Sequence, residues 1–355
     1  KGKLYKDKEI KDLLAKDYKK YNKQIIDLEK KISFGGEKAN FLGEDLRKRQ
    51  FLSGLSIEDL ELILHPMAEE GKEASGSMGD DTPVAVLSSH FRPVSHYFRQ
   101  NFSQVTNPPI DSLRENKVMS LKTRFGNLGN ILDFDNLTEE NIYVLDSPVL
   151  TNSQFKKFKK FFSKKVKVID CTFNIEETLK ERIELIRKEA ETAVREGSTC
   201  LILSDKNISK QKASIPSILT VGAVHSHLIK NGLRGYCSLN VECSDAMDTH
   251  SFAILIGVGA TTVNPYLAID SIYQRFEKKL FGRSDFESCV GKFKKSIDAG
   301  LLKIMSKMGI SVISSYRGGC NFEAVGLSRA IVSDYFPGMS SRISGIGIIG
   351  IEKKN

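Results

Sequence analysis

The feature that most constrains the fold of this chain is a regular alternation of short apolar runs with longer amphipathic stretches. The runs are rich in Val, Ile and Leu, and they are Val84–Ser88, Tyr143–Asp146, Val166–Asp170, Cys200–Ser204, Cys237–Glu242, Thr261–Asn264, Ser311–Ser314 and Gly345–Ile349. Continuous apolar runs of this length are typical of strands in a parallel sheet that is buried on both faces. Stretches with helical periodicity lie between most of them, namely Ser153–Phe162, Ile175–Glu196, Ile215–Asn231, Ala246–Val258, Cys289–Met308 and Phe322–Phe336. We therefore predict an α/β fold.

Eight strand–helix units fit a closed or degenerate (β/α)8 barrel better than an open sheet. A doubly wound open parallel sheet remains the alternative. Apolar residues recur at helical spacing over residues 5–31, and a further helix over Ile57–Leu64 is predicted to end at Pro66. We predict that residues 1–65 form a helical arm or linker from an upstream domain, and that residues 66–355 form the barrel-like domain. The initial Lys1 favours a piece of a longer polypeptide.

Composition narrows the class of protein. The chain has 355 residues and 40% hydrophobic content, which allows a sizeable core, and no window approaches the run of about 20 apolar residues that a membrane span needs. We expect a cytoplasmic protein, or a plastid one in a plastid-bearing organism.

The six cysteines are scattered along the chain, which is typical of reduced thiols in a protein core. The spacing of Cys237 and Cys243 lacks a third thiolate for a cluster site.

The net charge of +9 is concentrated locally, since residues 156–167 hold seven lysines and no acid. Phenylalanines recur among these lysines at helical spacing, which predicts an amphipathic surface helix with a solvated lysine face. Phosphate or membrane binding by these lysines is the alternative. Because the rest of the chain is nearly balanced, we expect neither a nucleic-acid nor a membrane partner.

Polar side chains follow the ends of several predicted strands, where the chemistry of a barrel is located. Asp205, Glu242 and Asn264 either bind a polar ligand or cap the helices that follow. The turn Arg317-Gly318-Gly319 has the composition of a phosphate site, with an arginine fork and two glycines. An interdomain salt bridge through Arg317 is the other interpretation.

The region from Pro66 to Leu121 is dense in glycine and proline, which marks a shaped loop or an interface. Asp80 and Asp81 could ligate a divalent cation, although a charged turn is the simpler interpretation. Arg114 and Glu115 would begin a helix or contact a neighbour. Together with Arg317 and Gly318, these four residues form our candidate interface or anion-binding set. We assign no catalytic, cofactor-binding or metal-ligating residue.

Several segments, taken in order, resemble the central region of glutamate synthase large subunits. They include Glu73-Ala-Ser-Gly-Ser-Met-Gly-Asp80-Asp81, Gln104-Val-Thr-Asn-Pro-Pro-Ile-Asp111, Asn264-Pro-Tyr-Leu-Ala268, Leu301-Leu-Lys-Ile-Met-Ser-Lys-Met-Gly-Ile310 and Ser315-Tyr-Arg-Gly318. The resemblance implies a degenerate barrel without a flavin that links a glutaminase domain to a synthase domain and forms part of the ammonia path. It implies FMN and an iron–sulfur cluster in the downstream domain only, and an electron-donor subunit or ferredoxin as a partner of the parent enzyme.

Two functions follow as hypotheses. The first is a structural and coupling domain of glutamate synthase, without turnover of its own, in an enzyme that makes glutamate from glutamine and 2-oxoglutarate. The second is an independent barrel enzyme or flavoprotein that uses Asp205, Glu242, Asn264 and Arg317.

Overall fold

A computed structural model of the chain describes residues 2–21, 24–74, 85–88, 92–102, 114–129 and 141–354. The helices are α1 (Asp7–Tyr21), α2 (Gly43–Leu52), α3 (His65–Glu70), α4 (Glu115–Val118), α5 (Asn152–Phe161), α6 (Leu179–Arg195), α7 (Ser217–Lys230), α8 (Thr249–Gly257), α9 (Tyr266–Glu277), α10 (Phe286–Met308), α11 (Ile313–Tyr316), α12 (Arg329–Tyr335) and α13 (Ile348–Lys354). The strands are β1 (Gln24–Asp27), β2 (Phe98–Gln100), β3 (Thr123–Phe125), β4 (Asn141–Leu145), β5 (Val166–Asp170), β6 (Thr172–Asn174), β7 (Cys200–Ser204), β8 (Lys212–Ser214), β9 (Ser238–Glu242), β10 (Thr262–Asn264), β11 (Phe322–Leu327) and β12 (Ser340–Ile346).

The central sheet contains four parallel strands whose spatial order follows the chain, β5-β7-β9-β10. Helices α6, α7 and α8 connect them in turn and share one hydrophobic core with the sheet. A parallel bridge between Val149 and Val263 then places the segment before α5 beside β10. A segment that precedes β5 in the chain therefore pairs with the last strand of the sheet. This one-directional winding confirms the prediction of a degenerate barrel-like α/β fold and disfavours the doubly wound alternative.

Helix α5 explains why the barrel is degenerate. Its Phe155 and Phe158 are buried, and they pack with Cys200 and Ile202 on the face of the sheet opposite to α6 and α7. A regular barrel fills that space with the side chains of further strands. The phenylalanines therefore form an apolar face as predicted, while Lys156 and Lys160 stay exposed on the same helix.

Smaller sheets flank this body. In the first, β4 pairs in parallel with β1 and antiparallel with β3. In the second, β11 pairs in parallel with β12 and antiparallel with β2. The helix predicted over residues 5–31 therefore ends at Tyr21, and the later part of that stretch contributes β1, while α1 confirms a helical extension before it.

Three predicted strands differ from the structure. Within Val84–Ser88, the described residues form a 3₁₀ turn at Ala85–Leu87. Within Ser311–Ser314, only Val312 makes a bridge, to Ser120, before α11 begins. Gly345–Ile349 straddles the end of β12 and the start of α13. Each run is short, and periodicity alone cannot separate a short strand from a turn or a helix end.

Helix boundaries were also mispredicted. Phe322–Phe336 is not one helix, because β11 precedes α12; burial alternates along Phe322–Ala324 as it does in a strand. The chain does not stop being helical at Pro66, since a π-helical turn over Asp59–Leu64 runs directly into α3. None of the helices in the described residues combines the length and apolar character that crossing a membrane requires.

Candidate functional site

The four parallel strands end in a row of polar residues. Asp170, Ser204, Glu242 and Asn264 are the last residues of β5, β7, β9 and β10, and the pairing register places each beside the next. Asp205 follows Ser204 directly. We call these five residues the carboxyl edge. The sequence prediction that Asp205, Glu242 and Asn264 lie together is therefore confirmed by the register.

Glu242 is the most strongly bound group of this edge. Its side chain is 3% exposed, and its two oxygens each lie 2.8 Å from an ammonium group, those of Lys159 and Lys206. The Ser204 hydroxyl also donates to it, at 2.7 Å. Burial alone would raise the pKa of Glu242, but Lys206 and Lys159 outweigh that effect and leave the pKa below its ordinary value. Glu242 is thus an ionised structural carboxylate.

Asp205 is bound on one side only. Its Oδ2 accepts hydrogen bonds from the backbone N–H and the hydroxyl of Ser244, at 2.9 and 2.6 Å. The buried Tyr266 hydroxyl lies near this carboxylate and interacts with it, although neither Oδ1 nor that hydroxyl makes a hydrogen bond of regular geometry within the described part of the chain. Burial, with the nearby Asp245 carboxylate, raises the pKa of Asp205 to about 7. The group therefore changes protonation near neutral pH.

Asn264 and Asp270 connect the edge to a covering segment. The amide of Asn264 donates to Leu150 O at 3.0 Å and to Asn152 Oδ1 at 3.1 Å. Asn152 in turn donates to Asp270 Oδ1 at 2.9 Å. Asp270 is fully buried on α9, and burial raises its pKa to about 7. Its carboxylate also accepts from the backbone N–H groups of Asn40 and Phe41.

Residues 33–41 lie across this end of the sheet, and we call them the covering segment. The Glu37 carboxylate accepts from the hydroxyls of Thr151 and Ser153 at the start of α5. The backbone carbonyls of Ser33 and Gly35 accept from Lys157. These bonds hold the covering segment over the position that a substrate occupies in a barrel enzyme.

A cavity of about 480 Å³ remains between the covering segment, α5 and the carboxyl edge. Five lysines line it, together with Glu242 and three asparagines: Lys38, Lys156, Lys157, Lys159, Lys206, Asn40, Asn152 and Asn264. A second cleft, of about 710 Å³, runs along residues 51–59, 92–96 and 244–251. Positive charge therefore dominates the first cavity.

Arg317 does not belong to the carboxyl edge, so the interpretation that grouped it with Asp205 and Glu242 is wrong. Its guanidinium donates to the carbonyls of Ala260 and Thr261, which precede β10, at 2.9 and 3.4 Å. The N–H groups of Gly318 and Gly319 donate to Gly257 O and Tyr316 O. Arg317 thus lies at the opposite, amino end of the strands. Nε and Nη2 of Arg317 and these two N–H groups are thus engaged by backbone carbonyls.

Arg234 and His225 complete this second cluster. Arg234 is partly buried and donates to His225 Nδ1 at 3.0 Å and to the carbonyls of Cys237 and Gly259. Burial, then Arg234 and Arg317, lowers the pKa of His225 to about 3. Burial, then Arg234, lowers the pKa of Arg317 to about 9. The cluster is a neutral histidine between two arginines that tie loops together.

The remaining candidates are Asp80, Asp81, Arg114 and Glu115. Asp80 and Asp81 lie outside the described residues. Arg114 is exposed and precedes α4, while Glu115 is the first residue of that helix. No cluster of three or more His, Cys, Asp or Glu with metal-binding geometry occurs among the described residues. Cys237 and Cys243 lie at opposite ends of β9, about 20 Å apart at the rise of a strand, so they cannot share a metal.

The sequence analysis did not predict several residues that surround the carboxyl edge. Lys159 was assigned to a solvated face, and Lys206 and Asp270 were not singled out. Lys159 lies 83 positions from Glu242, and Asp270 lies 230 positions from Asn40. The one available signal was the absence of any acid in residues 156–167, which leaves their lysines to find partners elsewhere in the fold.

Comparison with known proteins identifies the family. Residues 48–328 match the family model described as the glutamate synthase central domain. The chain belongs to this family. The match confirms the resemblance found in the sequence motifs, and it covers the whole central sheet with its helices.

The curated relatives are large synthase chains. The chain is 55% identical to the glutamate synthase [NADPH] large chain of Azospirillum brasilense, over 99% of this chain and 24% of the relative. It is 40% identical to the corresponding chain of Bacillus subtilis, over 98% of this chain and 23% of the relative. It is 37% identical to the chloroplastic ferredoxin-dependent glutamate synthase of Spinacia oleracea, over 97% and 22%. The chain thus spans about a quarter of the length of these relatives.

Among solved structures, a flavocytochrome b2 mutant with bound pyruvate overlaps 86% of this chain and 95% of its own, at 12% identity and a TM-score of 0.40. The overlap is loose. The barrel-like winding of the central domain is defined by the strand order of this chain itself.

Proposed function

We propose that this chain is the structural and coupling domain of a glutamate synthase large subunit. It would link the glutaminase domain to the FMN and iron–sulfur domain of the same polypeptide and contribute to the transfer of ammonia for glutamate synthesis. Catalysis and both cofactors would belong to those neighbouring domains, with an electron-donor subunit or ferredoxin as a further partner. The compartment would be the cytoplasm or, as in the spinach relative's name, the chloroplast.

The observation that carries this proposal is that Glu242 and Asn264 of the carboxyl edge are bound by other groups of the same chain. Glu242 is held by two lysines and a serine, and Asn264 by Leu150 and Asn152. A catalytic acid or base needs access to a substrate and a pKa suited to proton transfer. Both oxygens of Glu242 are bound by lysines, and its pKa is lowered, so it is poorly suited to proton transfer at neutral pH. The edge instead provides a rigid support for neighbouring domains.

The alternative of an independent barrel enzyme has less support. Of its four proposed residues, Arg317 lies at the opposite end of the strands and donates to backbone carbonyls. Asp205 alone has a pKa near neutrality, and it is buried against Ser244.

A nitrogen balance in the full-length synthase tests the coupling role. Gly259→Ala deforms the junction between α8 and β10, because an added methyl group would collide with the His225 ring. We expect more free ammonia per glutamine hydrolysed, with the glutaminase rate unchanged. The control is Gly232→Ala, where a methyl group meets nothing within 4 Å. Unchanged ammonia release from a measurably destabilised Gly259→Ala enzyme would refute the coupling role.

A further inference from the structure

The lysine-lined cavity beside the carboxyl edge carries more positive charge than the chain neutralises. Among the described residues that line it, Glu242 is the one carboxylate, and it is shared by Lys159 and Lys206. Lys157 donates to the carbonyls of Ser33 and Gly35, which leaves its charge uncompensated. Among the described residues, the ammonium groups of Lys38 and Lys156 have neither a hydrogen bond nor an ion pair.

Two further carboxylates lie just outside the lining. Glu37 accepts from Thr151 and Ser153, and Asp270 accepts from the backbone of the covering segment. Even with both ionised, five lysines face three acids. The charge of the cavity therefore remains positive, and like charges that line one cavity repel one another unless an anion enters.

The donors around the cavity are those that bind carboxylates. The same edge already holds the carboxylate of Glu242 with two ammonium groups, and that of Glu37 with hydroxyls and the Ser153 N–H. A phosphate site usually adds free backbone N–H groups at a helix start. Here Glu37 and the Thr151–Gln154 capping box occupy the start of α5. A carboxylate ligand is therefore favoured over a phosphate.

We propose that this cavity binds a small organic anion with at least two carboxylate groups. Lys38 and Lys156 supply the free ammonium groups, and Lys157 lies beside them. The amides of Asn40 and Asn152 line the same space. A volume of about 480 Å³ accommodates such an anion with its bound water. The site is independent of the coupling role, since an anion could bind whether or not ammonia passes through the domain.

The first test is residue-resolved lysine protection in the full-length polypeptide. The protein is acetylated under limiting reagent in the presence of succinate, succinamide or inorganic phosphate, and the rate at each lysine is read by peptide mass spectrometry. We expect succinate to slow acetylation of Lys38 and Lys156 but not of Lys160, which is exposed on the same helix outside the cavity. Succinamide, of similar size but uncharged, should protect neither.

Matched variants complete the test. Lys156→Gln should weaken succinate binding about tenfold in calorimetry, as expected for one charge lost at a few ångströms in a partly screened site. Lys160→Gln, one helical turn further along, should leave the affinity unchanged. Equal protection of all three lysines, protection by phosphate in place of succinate, or equal affinity of the two variants would each overturn the proposal.

Discussion

Lys206 lies 2.8 Å from Glu242 across the carboxyl ends of two neighbouring strands, β7 and β9. Lys159 approaches the same carboxylate from α5, on the face where a regular barrel has its interior. One buried anion thus joins the sheet to the helix that makes the barrel degenerate. The central domain uses at this point, for its own architecture, the groups that a barrel enzyme offers to a substrate.

Glu242→Gln should therefore destabilise the chain. Removing the charge leaves two lysines unpaired, and because both are partly exposed we expect a loss of about 1–3 kcal/mol in the free energy of unfolding at pH 7. Since the folded-state pKa of Glu242 is lowered, its contribution is present at neutral pH and is lost as the pH falls below the ordinary value of 4.5. Urea denaturation at pH 7 and pH 4 measures both effects.

The matched control for that experiment is Glu189→Gln, which removes the partner of Lys167 in a surface pair with both side chains over a third exposed. A change within about 0.5 kcal/mol is expected there. If both variants lose the same stability, the buried pair has no special role.

Asp205→Asn should stabilise the chain at alkaline pH. Its folded-state pKa of about 7 lies above the ordinary value of 3.8, so the native state binds more protons between these values and loses stability as the pH rises. Replacing this titratable carboxyl by a neutral amide should raise the free energy of unfolding by about 1–3 kcal/mol at pH 8 and have little effect at pH 3. The comparison is Asp146→Asn on the surface. A gain that is independent of pH would show that ionisation of Asp205 is not the cause.

Gly259→Ala should be costly for two reasons. The residue has φ +126°, and an added Cβ would overlap the His225 ring. We expect a loss of about 2–4 kcal/mol from the strain and the overlap together. Gly232→Ala, with φ +68° and open space around it, should lose about 1 kcal/mol from the backbone alone. Thermal unfolding of the two variants separates the backbone strain from the overlap with the His225 ring. Equal losses would contradict the packing argument.

Arg317→Ala should lower stability without altering anion binding. The guanidinium ties the loop after α11 to the carbonyls of Ala260 and Thr261, so we expect a loss of about 1–3 kcal/mol. Arg342→Ala is the control and should be nearly neutral, because the Arg342 side chain is 84% exposed in its pair with Glu323. Sulfate or FMN that bound the wild type and not Arg317→Ala would restore the phosphate interpretation.

The sequence predicted the central sheet because its strands are apolar runs that end at polar residues. Both β5 and β7 begin and end at the predicted residues. Helix α9 was missed because it follows Asn264-Pro265 directly, where no loop separates it from β10. The sequence predicted that polar residues of the carboxyl edge lie together, but it did not predict which side chains bind them. The pair of Lys159 and Glu242 forms only when α5 packs on the face of the sheet opposite to α6 and α7. No local sequence pattern encodes that packing.

The most direct measurement of the central claim is the rate of each half-reaction in the full-length synthase carrying Glu242→Gln or Asp205→Asn. Glutamine hydrolysis and ammonia-dependent glutamate synthesis are assayed separately, below the melting temperature of each variant. We predict that both rates stay within about twofold of the wild type, because these carboxylates serve the fold and not the chemistry. A fall of about a hundredfold or more in either rate, with the fold intact, would contradict the account.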